Sequence, residues 1–117
     1  MSRIHRHTIS LKHALEGLIY IVTSQPNFQI HLLATLLAVF LGFYLHISRT
    51  DWIVITFTIC LVLVAETINT AVEAVVDLLT DTFHEKAKLA KDVAAGMVLL
   101  TAITSFVIGA LIFLPYF

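Results

Sequence analysis

The chain has 117 residues, of which 59% are hydrophobic and 13% charged, and its net charge is -1. Soluble domains carry about a quarter charged residues, so this composition excludes an ordinary soluble domain. A mean hydropathy of +0.95 points to an integral membrane protein, and no basic excess suggests a nucleic-acid partner.

Residues 1–8 are polar and basic and are expected to fray. From Ser10, Leu11, Leu15, Leu18 and Val22 recur at helical spacing, with Lys12 and Glu16 on another side. This predicts an amphipathic surface helix over 10–24, lying at the membrane interface. Lys12, His13 and Glu16 interrupt its apolar run and no A-x-A site follows, so it does not read as a signal peptide. Gln25-Pro26-Asn27 then breaks the pattern, because Pro26 restricts the residue before it and can open the next helix.

Three segments are long enough to span a bilayer, which takes roughly 20 residues at 1.5 Å rise each. They are predicted over 28–47, 52–79 and 93–115, in a single membrane domain covering 1–117. His31 and His46 read as interfacial residues near the ends of the first span, and Trp52 as a belt aromatic. The link 46–51 allows only a tight turn between antiparallel helices. Cys60, alone and mid-span, reads as a small buried apolar side chain. The second span is longer than a bilayer requires, so its far end is expected to project beyond the lipid. The segment 80–92 reads as a polar loop directly beneath it, and Thr101, Ser105 and Gly109 form a small-residue face on the third span.

Arg3, Arg6, Lys12, Lys86, Lys88 and Lys91 flank one side of these spans, against Arg49 alone on the other. By the positive-inside rule the N-terminus and the 80–92 segment are cytoplasmic.

Glu66, Asn69, Glu73 and Asp77 punctuate the second span. Offsets of 3, 7 and 11 residues, at about 100° each, place all four in one sector of a helix. An ionisable group at membrane depth is costly and usually serves ions, protons or substrate. A single chain of three spans is too small to cover such a stripe, which predicts a homo-oligomer. Two carboxylates near the surface can hold Mg²⁺ together with substrate phosphates, and a third, partly buried acid can serve as general base. That division suits phosphoryl transfer from a cytoplasmic nucleotide to an alcohol delivered from the bilayer. No G-x-x-x-x-G-K-[ST] or G-x-G-x-x-G is present, so side chains and a metal would have to hold the phosphates. From the residues alone, a lipid-facing enzyme, a cation or proton pathway and a structural oligomer contact all remain open.

The run E-T-I-N-T-A-V-E-A-V-V-D-L-L-T-D (66–81), followed by F-H-E-K-A-K-L-A-K-D-V-A-A-G (83–96), resembles the signature of the prokaryotic diacylglycerol kinase/undecaprenol kinase family. The resemblance covers essentially the whole chain and is stronger to the Gram-positive-type undecaprenol kinases. It implies an all-α homotrimer in the bacterial inner membrane, with three transmembrane helices and a surface helix per subunit. It also implies ATP-dependent phosphorylation of a lipid alcohol, undecaprenol or alternatively diacylglycerol, with Mg²⁺. On this resemblance Glu66 matches the catalytic base, Asn69 the asparagine beside the reacting alcohol and Glu73 a metal-binding glutamate. Lys91 and Asp92 match the nucleotide-contacting pair, Thr82, Phe83 and His84 the segment under the adenosine, and Arg6 and His13 positions near ATP. Asp77 falls in the same nucleotide-binding group, although capping or pairing with Lys91 is its simpler reading. Gln25 departs from the pattern: it stands where the family usually has a second metal-binding glutamate.

Overall fold

The computed structural model describes residues 3–117 as four α-helices and a closing 3-10 turn. They are α1 (Arg3–Ser24), α2 (Pro26–Leu45), α3 (Arg49–Leu79), α4 (Glu85–Phe113) and the turn Leu114–Tyr116. The helical ladder of α1 runs back to Arg3, so residues 3–8 extend the helix rather than fray; residues 1 and 2 lie outside the described residues. Between α1 and α2, Gln25 is extended (φ -107°, ψ 106°) and Pro26 occupies the first turn of α2. Proline lacks the N–H that a first helical residue would leave unpaired anyway. Gln29 Nε2 donates to the Val22 carbonyl at 3.0 Å, tying α2 back to α1 across this break.

α2 ends at Leu45, two residues sooner than hydropathy suggests. His46 takes the left-handed conformation (φ 52°, ψ 51°), and its N–H closes on the carbonyls of Gly42 and Phe43. α3 starts three residues sooner than expected, because Ser48 Oγ accepts from Asp51 N and caps it. α4 also starts sooner. The expected 80–92 loop is only Thr80–His84, and the charged residues 85–92 form the first two turns of α4, capped by His84 Nδ1 accepting from Lys86 N.

α2, α3 and α4 are each long and apolar enough to cross a membrane. At 1.5 Å per residue α3 is about 46 Å long against a hydrocarbon core of about 30 Å, so roughly its last third projects. The radius of gyration is 17.6 Å, with extents of 50 × 44 × 21 Å, whereas a compact domain of this length would have about 13 Å. Leu33, Leu36, Phe40, Phe57, Leu99 and Phe106 are all exposed on the spans. Such a surface fits lipid rather than water, and the chain is a membrane protein.

The small core sits at the α2–α3 turn, where Ile47, Ile55 and Ile112 are buried against Trp52, Ile59 and Ile108. Gly42 is required there. A Cβ on it would meet Trp52 Cη2 at 2.7 Å and Cζ2 at 2.9 Å. Beyond the core, Tyr116 Oη donates to Asp51 Oδ2 at 2.8 Å and accepts from Ser48 N at 3.2 Å, pinning the end of α4 to the turn. One end of the bundle is thus fixed by packing and hydrogen bonds. The stripe lies towards the other.

Candidate active site

The stripe on α3 grades from buried to open. Glu66 is 3% exposed, the one buried polar or charged residue among those described. The carbonyl oxygen of Asn69 is buried and has no hydrogen-bond partner among the described residues. Glu73 and Asp77, one and two turns beyond, are exposed. One chain covers the first acid of the stripe: α2 lies against Glu66, because the tight turn sets the two helices antiparallel. Only Glu73 and Asp77 stay uncovered.

The cover is His31. Its Nε2 lies 3.1 Å from Glu66 Oε1, with the His31 side chain 22% exposed. Sequence reasoning assigned His31 to the interface and missed this contact. A register count could have found it. Phe43 meets Trp52 across the turn with ring centroids 4.8 Å apart, so facing residues have numbers summing to about 95. His31 and Glu66 sum to 97. Below the pair, Thr70 Oγ1 donates to the Glu66 backbone carbonyl, which leaves the carboxylate to other partners.

An apolar groove of about 450 Å³ lies between α2 and α3, lined by Phe28, Thr35, Val39, Cys60, Leu63 and Thr67. Leu63 and Thr67 flank Glu66 on α3, and Thr35 lies one turn from His31. Cys60 is exposed on the groove rather than buried.

At the foot of α3 and the head of α4 lies a second cleft, of about 400 Å³. Asp77, Thr82, Phe83, His84, Lys91 and Asp92 all line it, which brings together six of the residues singled out in the sequence. Each has a local reason to be there. Thr80 Oγ1 donates to the Thr82 carbonyl at 3.0 Å and accepts from Thr82 N at 3.3 Å, which tightens the loop. Phe83 projects from it, 79% exposed. Lys91 Nζ donates to Asp77 Oδ1 at 2.6 Å across the two helices, and Lys88 pairs with Asp92 at 2.5 Å along α4. Glu73 does not line the cleft but acts electrostatically on the Lys91 ammonium.

The remaining predicted residues lie elsewhere. Arg6 is exposed on α1, and His13 Nδ1 pairs with Glu16 at 3.2 Å on the same helix. Gln25 is partly buried at the α1–α2 break, its amide 3.5 Å from Ser24 Oγ.

No three His, Cys, Asp or Glu side chains cluster as a metal cage among the described residues. Mg²⁺ typically takes one or two carboxylates, fills the rest of its octahedron with water and phosphate, and needs no such cage. The free carboxylate of Glu73 fits that mode.

The model for prokaryotic diacylglycerol kinase matches residues 12–113. A diacylglycerol kinase of Synechocystis sp. is 40% identical over 108 residues, which are 92% of this chain and 62% of that protein. The chain thus spans less than two thirds of that relative. The undecaprenol kinase of Bacillus subtilis is 40% identical over 114 residues, 97% of this chain and 93% of that one. A diacylglycerol kinase of Escherichia coli is 30% identical over 84 residues, 72% and 69% of the two chains. The chain belongs to the prokaryotic diacylglycerol kinase family, a family of lipid kinases.

Proposed function

We propose that the protein transfers the γ-phosphoryl group of ATP to undecaprenol at the cytoplasmic face of the bacterial inner membrane. The observation that carries this reading is the separation of two environments along one helix. A buried carboxylate, Glu66, lies on α3 between two residues that line an apolar groove, Leu63 and Thr67, and a cleft carrying paired lysines and aspartates with Phe83 lies below it. Glu66 and Glu73 are seven residues apart, about 10 Å along α3, so base and cation site stay distinct on one rigid element.

Glu66 takes the proton of the lipid hydroxyl as the hydroxyl oxygen bonds to the γ-phosphorus. The bond from that phosphorus to the bridging oxygen breaks, and ADP leaves with the electron pair. The side-chain carbonyl oxygen of Asn69, buried and without a partner among the described residues, supports the family match of Asn69 to the position beside the reacting alcohol. Lys91 and Lys88 supply positive charge to the phosphates, with Arg6 and His13 approaching from α1, and Phe83 offers a face to the adenine. Asp77 and Asp92 hold the lysines until nucleotide arrives. Glu73, with Gln25 in place of a second acid, would hold Mg²⁺, which offsets charge on the triphosphate.

The apolar groove seats the lipid tail, with α1 lying along the interface as an amphipathic cover. The full-length match to an undecaprenol kinase favours undecaprenol, while the matches to diacylglycerol kinases make diacylglycerol the competing substrate. A homotrimer would cover Glu73, and Gly109, with open space around it, leaves a face for another copy. Mass determination in detergent tests this: an active monomer overturns it.

The deciding assay offers undecaprenol and diacylglycerol in parallel to the purified protein in micelles with labelled ATP. Undecaprenol should be preferred, and Glu66→Gln should cost roughly 10²–10⁴-fold in turnover. Faster phosphorylation of diacylglycerol overturns the substrate assignment. A folded Glu66→Gln enzyme within about threefold of wild type overturns the base.

A further inference from the structure

We infer that His31 is a positioning residue for Glu66, holding its carboxylate through Oε1 so that Oε2 is presented to the lipid hydroxyl. The inference rests on the reading of Glu66 as base, and adds to it the group that makes that base usable.

A carboxylate removed from water needs a charged or hydrogen-bonding partner, or its burial is strongly unfavourable. Glu66 is buried, and His31 is its one ion-pair partner among the described residues, with Nε2 3.1 Å from Oε1. The neighbours on α3 do not substitute. Thr70 Oγ1 is turned to the backbone carbonyl of Glu66, and the Asn69 amide makes no hydrogen bond to the carboxylate among the described residues. The imidazole nitrogen stands 3.1 Å from the carboxylate oxygen, and when protonated it is the opposite charge beside it.

The contact is also well fixed. His31 and Glu66 face each other because the α2–α3 turn sets the register, and the Tyr116–Asp51–Ser48 contacts pin that turn. His31 is itself anchored in α2, where Thr35 Oγ1 donates to its carbonyl at 2.8 Å. Thr35 on α2 and Leu63 and Thr67 on α3 line the apolar groove, so the His31–Glu66 pair stands within one helical turn of groove residues on both helices. A carboxylate held at one oxygen loses its rotamer freedom. The other oxygen then has one place to be when the alcohol arrives, which is the geometric requirement for general-base catalysis.

The test is a double-mutant cycle on the full-length protein in micelles, with ATP and lipid alcohol each titrated. His31→Ala should lower kcat roughly 10–100-fold, the cost of a misplaced catalytic group, and leave both KM values within about threefold. His31→Gln, which keeps an N–H donor, should recover at least half of that loss on a logarithmic scale. In a Glu66→Gln background, His31→Ala should cost less than about twofold more, because residues acting as one unit are not additive. A spectroscopic readout keeps the test independent of activity: Glu66→Gln should move the imidazole ¹⁵N resonances of His31 in the otherwise unaltered protein. Near-wild-type kcat in His31→Ala, full additivity of the two substitutions, or unmoved ¹⁵N resonances would each overturn the inference while leaving Glu66 as base. A fully active Glu66→Gln would instead remove the base, and the role of His31 with it.

Discussion

Lys91 Nζ on α4 lies 2.6 Å from Asp77 Oδ1 on α3, so the lysine proposed to meet nucleotide is already held by the last acid of the stripe. The pair spans the mouth of the cleft, with side chains 42% and 66% exposed.

An exposed bridge of this kind is screened by solvent, and releasing it changes an equilibrium constant by roughly fivefold at most. Asp77→Asn should therefore leave thermal stability nearly unchanged and lower the KM for ATP by up to about fivefold, by freeing the ammonium. Lys91→Met should raise the same KM by more than tenfold or so, the cost of a lost charge-assisted phosphate contact. ATP titrations of the two variants decide the role of Asp77. A large rise in KM for Asp77→Asn would make it a nucleotide ligand rather than a holder of Lys91.

The opposite end of the bundle predicts a stability effect with a distant consequence. Gly42→Ala places a methyl group within 2.7 Å of the rigid Trp52 indole, which is already wedged against Phe43. Overpacking of this kind costs about 1–3 kcal/mol. Denaturation in detergent, followed by the fluorescence of Trp52 as the sole tryptophan, should report it. Because this contact sets the α2–α3 register, kcat should fall as well, and Trp52→Phe in the same chain should recover part of both. Unchanged stability would mean that the turn relaxes without strain.

Much of this architecture is legible in the sequence, because hydropathy and helical periodicity report which faces meet lipid. The three spans and the placement of Glu66, Asn69, Glu73 and Asp77 on one face follow from spacing alone. The helix ends do not. α2 stops at Leu45 because His46 adopts a left-handed backbone, and α4 reaches back to Glu85 because His84 caps it. Charge patterning cannot distinguish a polar loop from the polar first turns of a long helix. The burial of Glu66 within one chain, and its contact with His31, depend on inter-helix register. Periodicity within one helix carries no information on that. The Asp77–Lys91 pair was legible from the residues, since the polar segment after α3 returns beneath the stripe, whereas the gathering of Thr82, Phe83 and His84 on the same cleft came only through the family motif.

Cys60 provides a built-in probe of the lipid seat. It is the only cysteine in the chain and is exposed on the groove between α2 and α3. Saturating lipid alcohol should slow its modification by a small thiol reagent by about tenfold, the protection expected when roughly nine tenths of sites are filled. ATP alone should not. Equal labelling rates with and without lipid would place the tail elsewhere.

The last prediction concerns Gln25, which the family resemblance sets in place of a second metal-binding glutamate, with Mg²⁺ at Glu73 as proposed. Mg²⁺ shared by Glu73 and an amide feels one formal charge less than it would between two glutamates. At about 4 Å and an effective dielectric near 20, one carboxylate charge beside a divalent cation is worth on the order of 8 kcal/mol before solvent compensates. Most of that should be recovered, because Mg²⁺ retains waters and takes oxygens from the nucleotide. The enzyme should therefore be active but require more Mg²⁺, and Gln25→Glu should shift the half-maximal Mg²⁺ concentration downwards. Glu73→Gln should nearly abolish turnover at any Mg²⁺ concentration, since no acid would then remain at the cation unless Asp77, one turn further along α3, reaches it. A Mg²⁺ titration of the three proteins separates the possibilities. An unshifted curve for Gln25→Glu would mean that position 25 does not face the cation, which its contact with Ser24 already permits. Retained activity in Glu73→Gln would remove the metal assignment altogether and shift charge neutralisation onto the lysines of α4.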